Sequence, residues 1–192
     1  MNASENEWIA RAKQGQREAI HAIIAGHEHK VAATIAGILG QGPDVDDIGQ
    51  EVFFRFFRSL NGFRGDSLIR TYLTRIAINL SLNELKRRKR EIRNRDSETP
   101  EKNFPFHAAR AEQRASEMKE IVRLALQKLP LKFRTVIVLR LINDYSTRET
   151  AKILRLPEGT VLSRLARGQA KLKEIFEGID LEYNERNGGK HE

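Results

Sequence analysis

Apolar residues recur at helical spacing along nearly the whole chain, and strand-like alternation is almost absent. Residues 7–25 predict a first helix, with Trp8, Ile9, Ala12, Ala19, Ile20, Ile23 and Ile24 available for a core. Residues 29–39 predict a second (Val31, Ile35, Ile38, Leu39), ended by Gly40, Gly42 and Pro43. A third runs from Val45 to Leu60 and stops at Asn61-Gly62. After a short loop, Phe63 to Ser67, a fourth runs from Leu68 to about Arg90. Residues 91–111 carry Pro100, Pro105 and mixed charge with little periodicity, and read as a flexible linker. Helices are expected again at 112–129, 133–142, 147–154 and 157–176, and a flexible tail from 178 to 192. The fold class is therefore all-α, with two small helical domains on a tether, residues 1–90 and 112–177.

Composition narrows the function. The 192 residues contain no cysteine, which excludes a disulfide framework, a thiolate metal site and a cysteine nucleophile. No stretch reaches the roughly 18 apolar residues of a membrane span, and the first thirty residues lack a signal-peptide core. A cytoplasmic chain with no membrane insertion of its own is expected. The five histidines form no convincing ligand set, and Asp46 and Asp47, adjacent on a helix, splay apart. Neither a metal, nor a cofactor, nor a catalytic residue is expected, so the chain does not read as an enzyme.

The formal charge is +8, and it is unevenly placed. Residues 61–95 hold ten cations against three carboxylates, and residues 131–175 hold ten against four. A neutral stretch separates these blocks and an acidic tail follows them. Two basic blocks suit two contacts with one nucleic acid.

The second block reads as a helix-turn-helix. Ser146 and Glu149 have the spacing of a capping box. Ala151 is small where two helices must cross, and Leu154-Arg155-Leu156 makes the turn. Pro157 suits the first helical position, and Val161 and Leu165 face back to the core. Thr160, Ser163, Arg164, Arg167 and Lys171 are left on or beside the outward face, with the groups that bind phosphates and base edges.

In the first block, a helical wheel over 46–60 gathers Ile48, Val52, Phe53, Phe56, Phe57 and Leu60 on one half. Asp47, Gln50, Glu51 and Arg58 fall on the other, with Phe54 among them, which predicts a protein-contact face. On the next helix Ile69, Leu73, Ile76, Ala77 and Leu80 form the buried stripe. Arg75, Asn79, Asn83 and Lys86 lie toward an adjoining face, and Lys86-Arg87-Arg88-Lys89-Arg90 is a run of five cations. Beside a loop carrying Phe63 and Arg64, this is a candidate single-strand site, the aromatic bordering a base and the cations tracking phosphates.

Two stretches carry a resemblance. Asp46-Asp47-Ile48-Gly49-Gln50-Glu51-Val52-Phe53, then Phe63-Arg64-Gly65-Asp66-Ser67, Arg70-Thr71-Tyr72-Leu73 and Arg75-Ile76-Ala77-Ile78-Asn79, resemble region two of bacterial sigma factors of the extracytoplasmic-function (ECF) subfamily. The stretch from Leu129-Pro130 through Tyr145-Ser146, Glu149-Thr150-Ala151 and Pro157-Glu158-Gly159-Thr160-Val161 to Ser163-Arg164 is similar to region four. The resemblance implies a specificity subunit that binds core RNA polymerase, directs it to promoters and helps melt them.

By that resemblance, Asp46, Asp47, Gln50, Glu51, Phe54 and Arg55 would dock on polymerase. Phe63, Arg64, Arg75, Asn79 and Asn83 would take the melted non-template strand of the minus-ten element, and Lys86, Arg87 and Arg88 the duplex upstream. Thr160, Ser163, Arg164, Arg167 and Lys171 would read the minus-thirty-five duplex. An anti-sigma factor is an expected further partner. The alternative is a free-standing helix-turn-helix regulator. Arg155 stands where the family commonly has glycine, Leu162 where Lys or Arg usually faces the groove, and Ala166 where a larger residue is frequent. Without its partners, such a chain could pack its two domains together and hide the DNA faces.

Overall fold

The computed structural model describes residues 3–42, 44–63, 68–94 and 111–188. Among them there is no strand, and eight α-helices follow in order. They are α1 (Ala3–Lys13), α2 (Arg17–Leu39), α3 (Asp44–Ser59), α4 (Ile69–Asn94), α5 (Ala111–Lys128), α6 (Leu131–Ile137), α7 (Thr147–Leu154) and α8 (Glu158–Gly188). A 3-10 turn, Leu60–Gly62, closes α3, and a π-helical turn, Val138–Ile142, closes α6.

Helices α1 to α4 wrap one core around Ile23, Ile35, Val52, Phe56, Ile69 and Leu73, all buried. The second half has two smaller clusters. Leu126, Leu129 and Ile137 pack under Leu165 and Leu172, and Val136, Ala151 and Val161 fill the crossing of α7 with α8.

Several boundaries differ from the periodicity. The first helix breaks at Gln14–Gln16, where Gly15 takes a φ of +78°, and the chain then stays helical through Gly26 to Leu39. Glycine inside a helix costs about 1 kcal/mol, but the buried stripe Ala19, Ile23, Val31, Ile35 continues across Gly26 and outweighs it. Helix α4 runs on to Asn94, four residues into the expected linker. Arg87 bridges Glu84 and Glu91 across this stretch, the spacing that supports an exposed helix. Residues 95–110 of that linker lie outside the described residues. Helix α8 continues to Gly188, through most of the expected tail, because extending an established helix is far cheaper than nucleating one.

The two halves are packed against each other. Ile38 of α2 and Ile78 of α4 share a buried cluster with Leu139, Tyr145 and Ile153. Gly37 makes the approach possible: a Cβ there would lie 2.6 Å from a methyl of Val138.

Polar contacts complete the seam. Helix α2 has no cation in its own last turn, and its final carbonyls need donors. Arg134 supplies one, donating from Nη1 to the Ile38 carbonyl at 2.7 Å. The same guanidinium donates to Gln127 Oε1 at 2.6 Å and to the Leu129 carbonyl at 3.0 Å. Asn143 Nδ2 donates to Thr34 Oγ1 at 2.7 Å. Arg70 pairs with Glu149, and its guanidinium lies 5.4 Å from the Tyr145 ring centre. The domains pack together as expected for the chain without its partners, but this does not hide the DNA faces: Asn79, Asn83, Lys86, Ser163, Arg167 and Lys171 stay exposed, and only Arg75 is drawn into the seam.

Candidate functional site

Three surfaces hold the side chains singled out above. The first is the outer face of α3. Asp46, Asp47, Gln50 and Phe54 are exposed there, and Phe54 is 58% exposed. The opposite side of the helix buries Val52 and Phe56, so the aromatic edge of Phe54 stands among polar groups. Glu51 is half-buried and accepts from Arg55 Nε at 2.6 Å, one turn away. A shallow groove lined by His29, Ala32, Ala33, Ala36 and Val45 opens beside Asp46. An exposed phenylalanine, carboxylates and an amide next to a small-residue groove form a surface suited to another protein.

The second surface is α4. Asn79, Asn83 and Lys86 are exposed at spacings of four and three, so they share one face. Arg75, one turn earlier, is half-buried, and its Nη2 donates to the Lys152 carbonyl at 2.8 Å. Within the cationic run the side chains part company. Arg87 Nε and Nη2 each lie 2.7 Å from Glu84, and Nη1 lies 2.6 Å from Glu91. Arg88 reaches Asp44 at 2.5 Å and Glu84 at 2.9 Å. The hydrogen bond from Arg87 holds the Glu84 carboxyl below its ordinary value, overcoming the opposing effect of burial, with Arg88 adding to it. Lys86, Arg87, Lys89 and Arg90 are exposed, and Arg88 is half-buried.

Phe63 is half-buried. Its ring meets Tyr72 edge-on at 5.4 Å and Phe56 at 5.9 Å, and its carbonyl accepts from Lys13 Nζ at 3.1 Å. That ring is part of the border of the core rather than a freely projecting one. Arg64 to Ser67 lie outside the described residues.

The third surface is the α7–α8 pair, where local chemistry follows the sequence closely. Ser146 Oγ accepts from the Glu149 amide at 3.2 Å, and Glu149 Oε2 accepts from the Ser146 amide at 2.9 Å, closing the capping box. Arg155 ends α7 in the left-handed region, φ 53° and ψ 49°, the conformation usually given to glycine. Pro157 sits one residue ahead of α8, and its carbonyl accepts the first amides, Thr160 and Val161. Val161 and Gly168 are buried against the domain. Ser163, Arg167 and Lys171 are exposed, and Thr160 and Arg164 are half-buried beside them.

The side chains that join the halves carried no advance signal beyond Glu149 and its cap. Glu149 is held below its ordinary value: burial raises it, but hydrogen bonds from Ser146 and the charge of Arg70 outweigh burial. No group of three or more His, Cys, Asp or Glu that could hold a metal occurs among the described residues. No helix among them is long and apolar enough to cross a membrane.

Known proteins match this chain in sequence and in fold. The family model for sigma-70 region 2 matches residues 23–91, and that for sigma-70 region 4 matches residues 119–172. The ECF RNA polymerase sigma-E factor of Escherichia coli is 33% identical over 169 residues, covering 84% of this chain and 88% of that protein. The chain belongs to the ECF sigma factors. The RNA polymerase sigma-H factor of Pseudomonas aeruginosa is 28% identical over 183 residues, or 91% of this chain and 95% of that one.

Among solved structures, CnrH in complex with the cytosolic domain of CnrY is similar with a TM-score of 0.68 and 26% identity, over 91% of this chain and 97% of that chain. The sigma factor RpoE, solved with the anti-sigma factor NepR from Bartonella quintana, has the same fold, with a TM-score of 0.67 at 19% identity over 82% of this chain and 96% of that chain. This ECF sigma factor therefore directs RNA polymerase in transcription initiation. Its α1–α4 half holds region two and its α5–α8 half region four.

Proposed function

We propose that this sigma factor divides its work among the three surfaces. The face of α3 bearing Asp46, Asp47, Gln50, Glu51, Phe54 and Arg55 docks on core RNA polymerase. Phe54 supplies the apolar contact, and the polar residues around it set the register.

On α4, Asn79 and Asn83 present amides that can pair with the edge of an unstacked base. Arg75, Phe63 and Arg64 contribute to the same strand contact, and Lys86, Arg87 and Arg88, with Lys89 and Arg90 next to them, hold the upstream phosphates. Helix α8 enters the major groove of the minus-thirty-five element, with Thr160, Ser163 and Arg164 near the bases and Arg167 and Lys171 on the backbone. Capturing an unpaired base offsets an unstacking cost of a few kcal/mol, so promoter melting needs no catalytic group.

The observation that carries this reading is the segregation of chemistry. An acidic, aromatic helix face sits on one element, and basic and amide faces sit on two others. An inhibitory protein that covers these faces belongs to the same proposal; CnrH is seen bound to a protein domain.

The test is run-off transcription on genomic fragments with purified core polymerase, with and without the chain. Specific transcripts that require the chain support the reading and reveal the promoter. A folded chain that yields no transcripts and binds no polymerase, yet holds duplex DNA tightly, would instead be a free-standing regulator.

A further inference from the structure

The outward face of α8 is not uniformly polar. Leu162 is 53% exposed, one of the most exposed large apolar side chains among the described residues. Ala166, one turn on, is also exposed, so the two form a short apolar strip. Ser163 and Arg167 lie on the next strip around the helix, and Arg164 beyond them. The contacts between the two halves come from α5, α6, the π-helical turn and α7, among them those of Glu149 and Lys152 with Arg70 and Arg75. Leu162 is thus left in solvent in the closed arrangement.

Leu162 is the fifth residue of α8, and the N-terminal residues of a recognition helix are those that reach base edges. An aliphatic side chain can neither donate nor accept a hydrogen bond. Among the groups that base pairs display in the major groove, the apolar one is the C5-methyl of thymine. The flanking serine and guanidiniums bring the helix onto DNA, and Ala166 leaves space beside the leucine for a methyl group.

We infer that Leu162 is a specificity-determining residue that reads the methyl group of a thymine at one position of the minus-thirty-five element. The inference rests on the assignment of α8 to that element.

The experiment uses holoenzyme assembled from core polymerase and the full chain, either parent, Leu162→Ala or Leu162→Lys. Each holoenzyme selects from a duplex library randomised across the minus-thirty-five region. The parent should enrich thymine at one position on one strand. Leu162→Ala should lose that preference while keeping the others, and Leu162→Lys should replace it with guanine.

In the selected duplex, changing that thymine to deoxyuridine removes only the methyl. The change should weaken parent binding about fourfold, the worth of one buried methyl-sized group, and leave Leu162→Ala binding unchanged. Identical base preferences in parent and Leu162→Ala, or full tolerance of deoxyuridine by the parent, would overturn the inference while leaving the promoter assignment standing. A holoenzyme that selects no minus-thirty-five sequence at all would overturn both.

Discussion

The hydroxyls of Thr74 and Tyr145 lie 2.7 Å apart, across the seam between the two halves of the molecule. Tyr145 has a second neighbour, the Arg70 carbonyl at 3.2 Å, to which only its proton can go. Thr74 is therefore the donor of the short contact. Both side chains are buried. Tyr145→Phe keeps the ring and deletes both bonds, leaving Thr74 without its acceptor. Each such bond is worth about 1 kcal/mol net, so the variant should lose about 2 kcal/mol in denaturant unfolding. A loss below about 0.5 kcal/mol, the range of ordinary surface substitutions, would show that the seam does not form in solution.

Gly37 offers a cleaner lever on the same seam. Alanine is the better helix former by about 1 kcal/mol, so Gly37→Ala should strengthen α2 by itself. In the closed arrangement its new Cβ would lie 2.6 Å from one methyl of Val138 and 2.9 Å from the other, in a fully buried site. Gly37→Ala should therefore part the halves, raising the radius of gyration in small-angle scattering. Adding Val138→Ala should restore compactness, and the cycle of single and double variants isolates the contact. Equal scattering from parent and Gly37→Ala would sink the idea.

The contribution of Glu149 to folded stability, from its cap on Ser146 and then its pairing with Arg70, should be complete near neutrality and weaken in acid. Glu149 has a depressed carboxyl pKa in the folded protein, against an ordinary value of 4.5. The unfolded chain thus takes up its proton first as pH falls. The stabilisation is complete above about pH 4.5 and fades as pH drops below it, through the folded value. Glu149→Gln should flatten that part of the stability-against-pH curve. A curve unchanged between parent and variant would mean that the carboxylate contributes nothing to stability.

Arg155→Gly should stabilise the chain. A left-handed conformation costs a side-chain-bearing residue about 1–2 kcal/mol, and Arg155 is exposed at φ 53°. The greater freedom of glycine in the unfolded chain offsets part of this. The expected net gain is about 0.5–1 kcal/mol, read as a higher denaturation midpoint at constant slope. A lower midpoint would show that the arginine makes compensating contacts.

Polymerase and duplex binding should separate by mutation. Gln50→Ala combined with Phe54→Ala should weaken polymerase binding and leave helicity intact, since Phe54 buries little in the chain itself. Arg167→Ala should leave polymerase binding intact, weaken promoter duplex binding and lower its salt slope by about 1. Equal polymerase affinity for the double variant and parent would remove α3 from the interface.

The short-range features of this protein are legible in its sequence. The capping box at Ser146 and Glu149, the tight turn at Arg155 and the apolar stripes of α3 and α4 involve residues no more than a few turns apart, so spacing alone reveals them. The exposed Phe54 followed from the same arithmetic, because a wheel shows which residue cannot reach the core.

Tertiary structure alone decided which of the candidate groups are engaged elsewhere. Arg75 holds a carbonyl 77 residues away, Arg88 holds a carboxylate 44 residues away, and Arg134 caps the end of α2 from 96 residues on. A helix end without its own cation demands donors, but any arginine in the chain could supply them. Which one does so depends on how the two halves meet. That is set by the fit of Val138 against the bare backbone of Gly37 and by the shared burial of Ile38, Ile78 and Tyr145. Complementarity of this kind exists only between surfaces already folded, and it leaves no periodic trace along the chain.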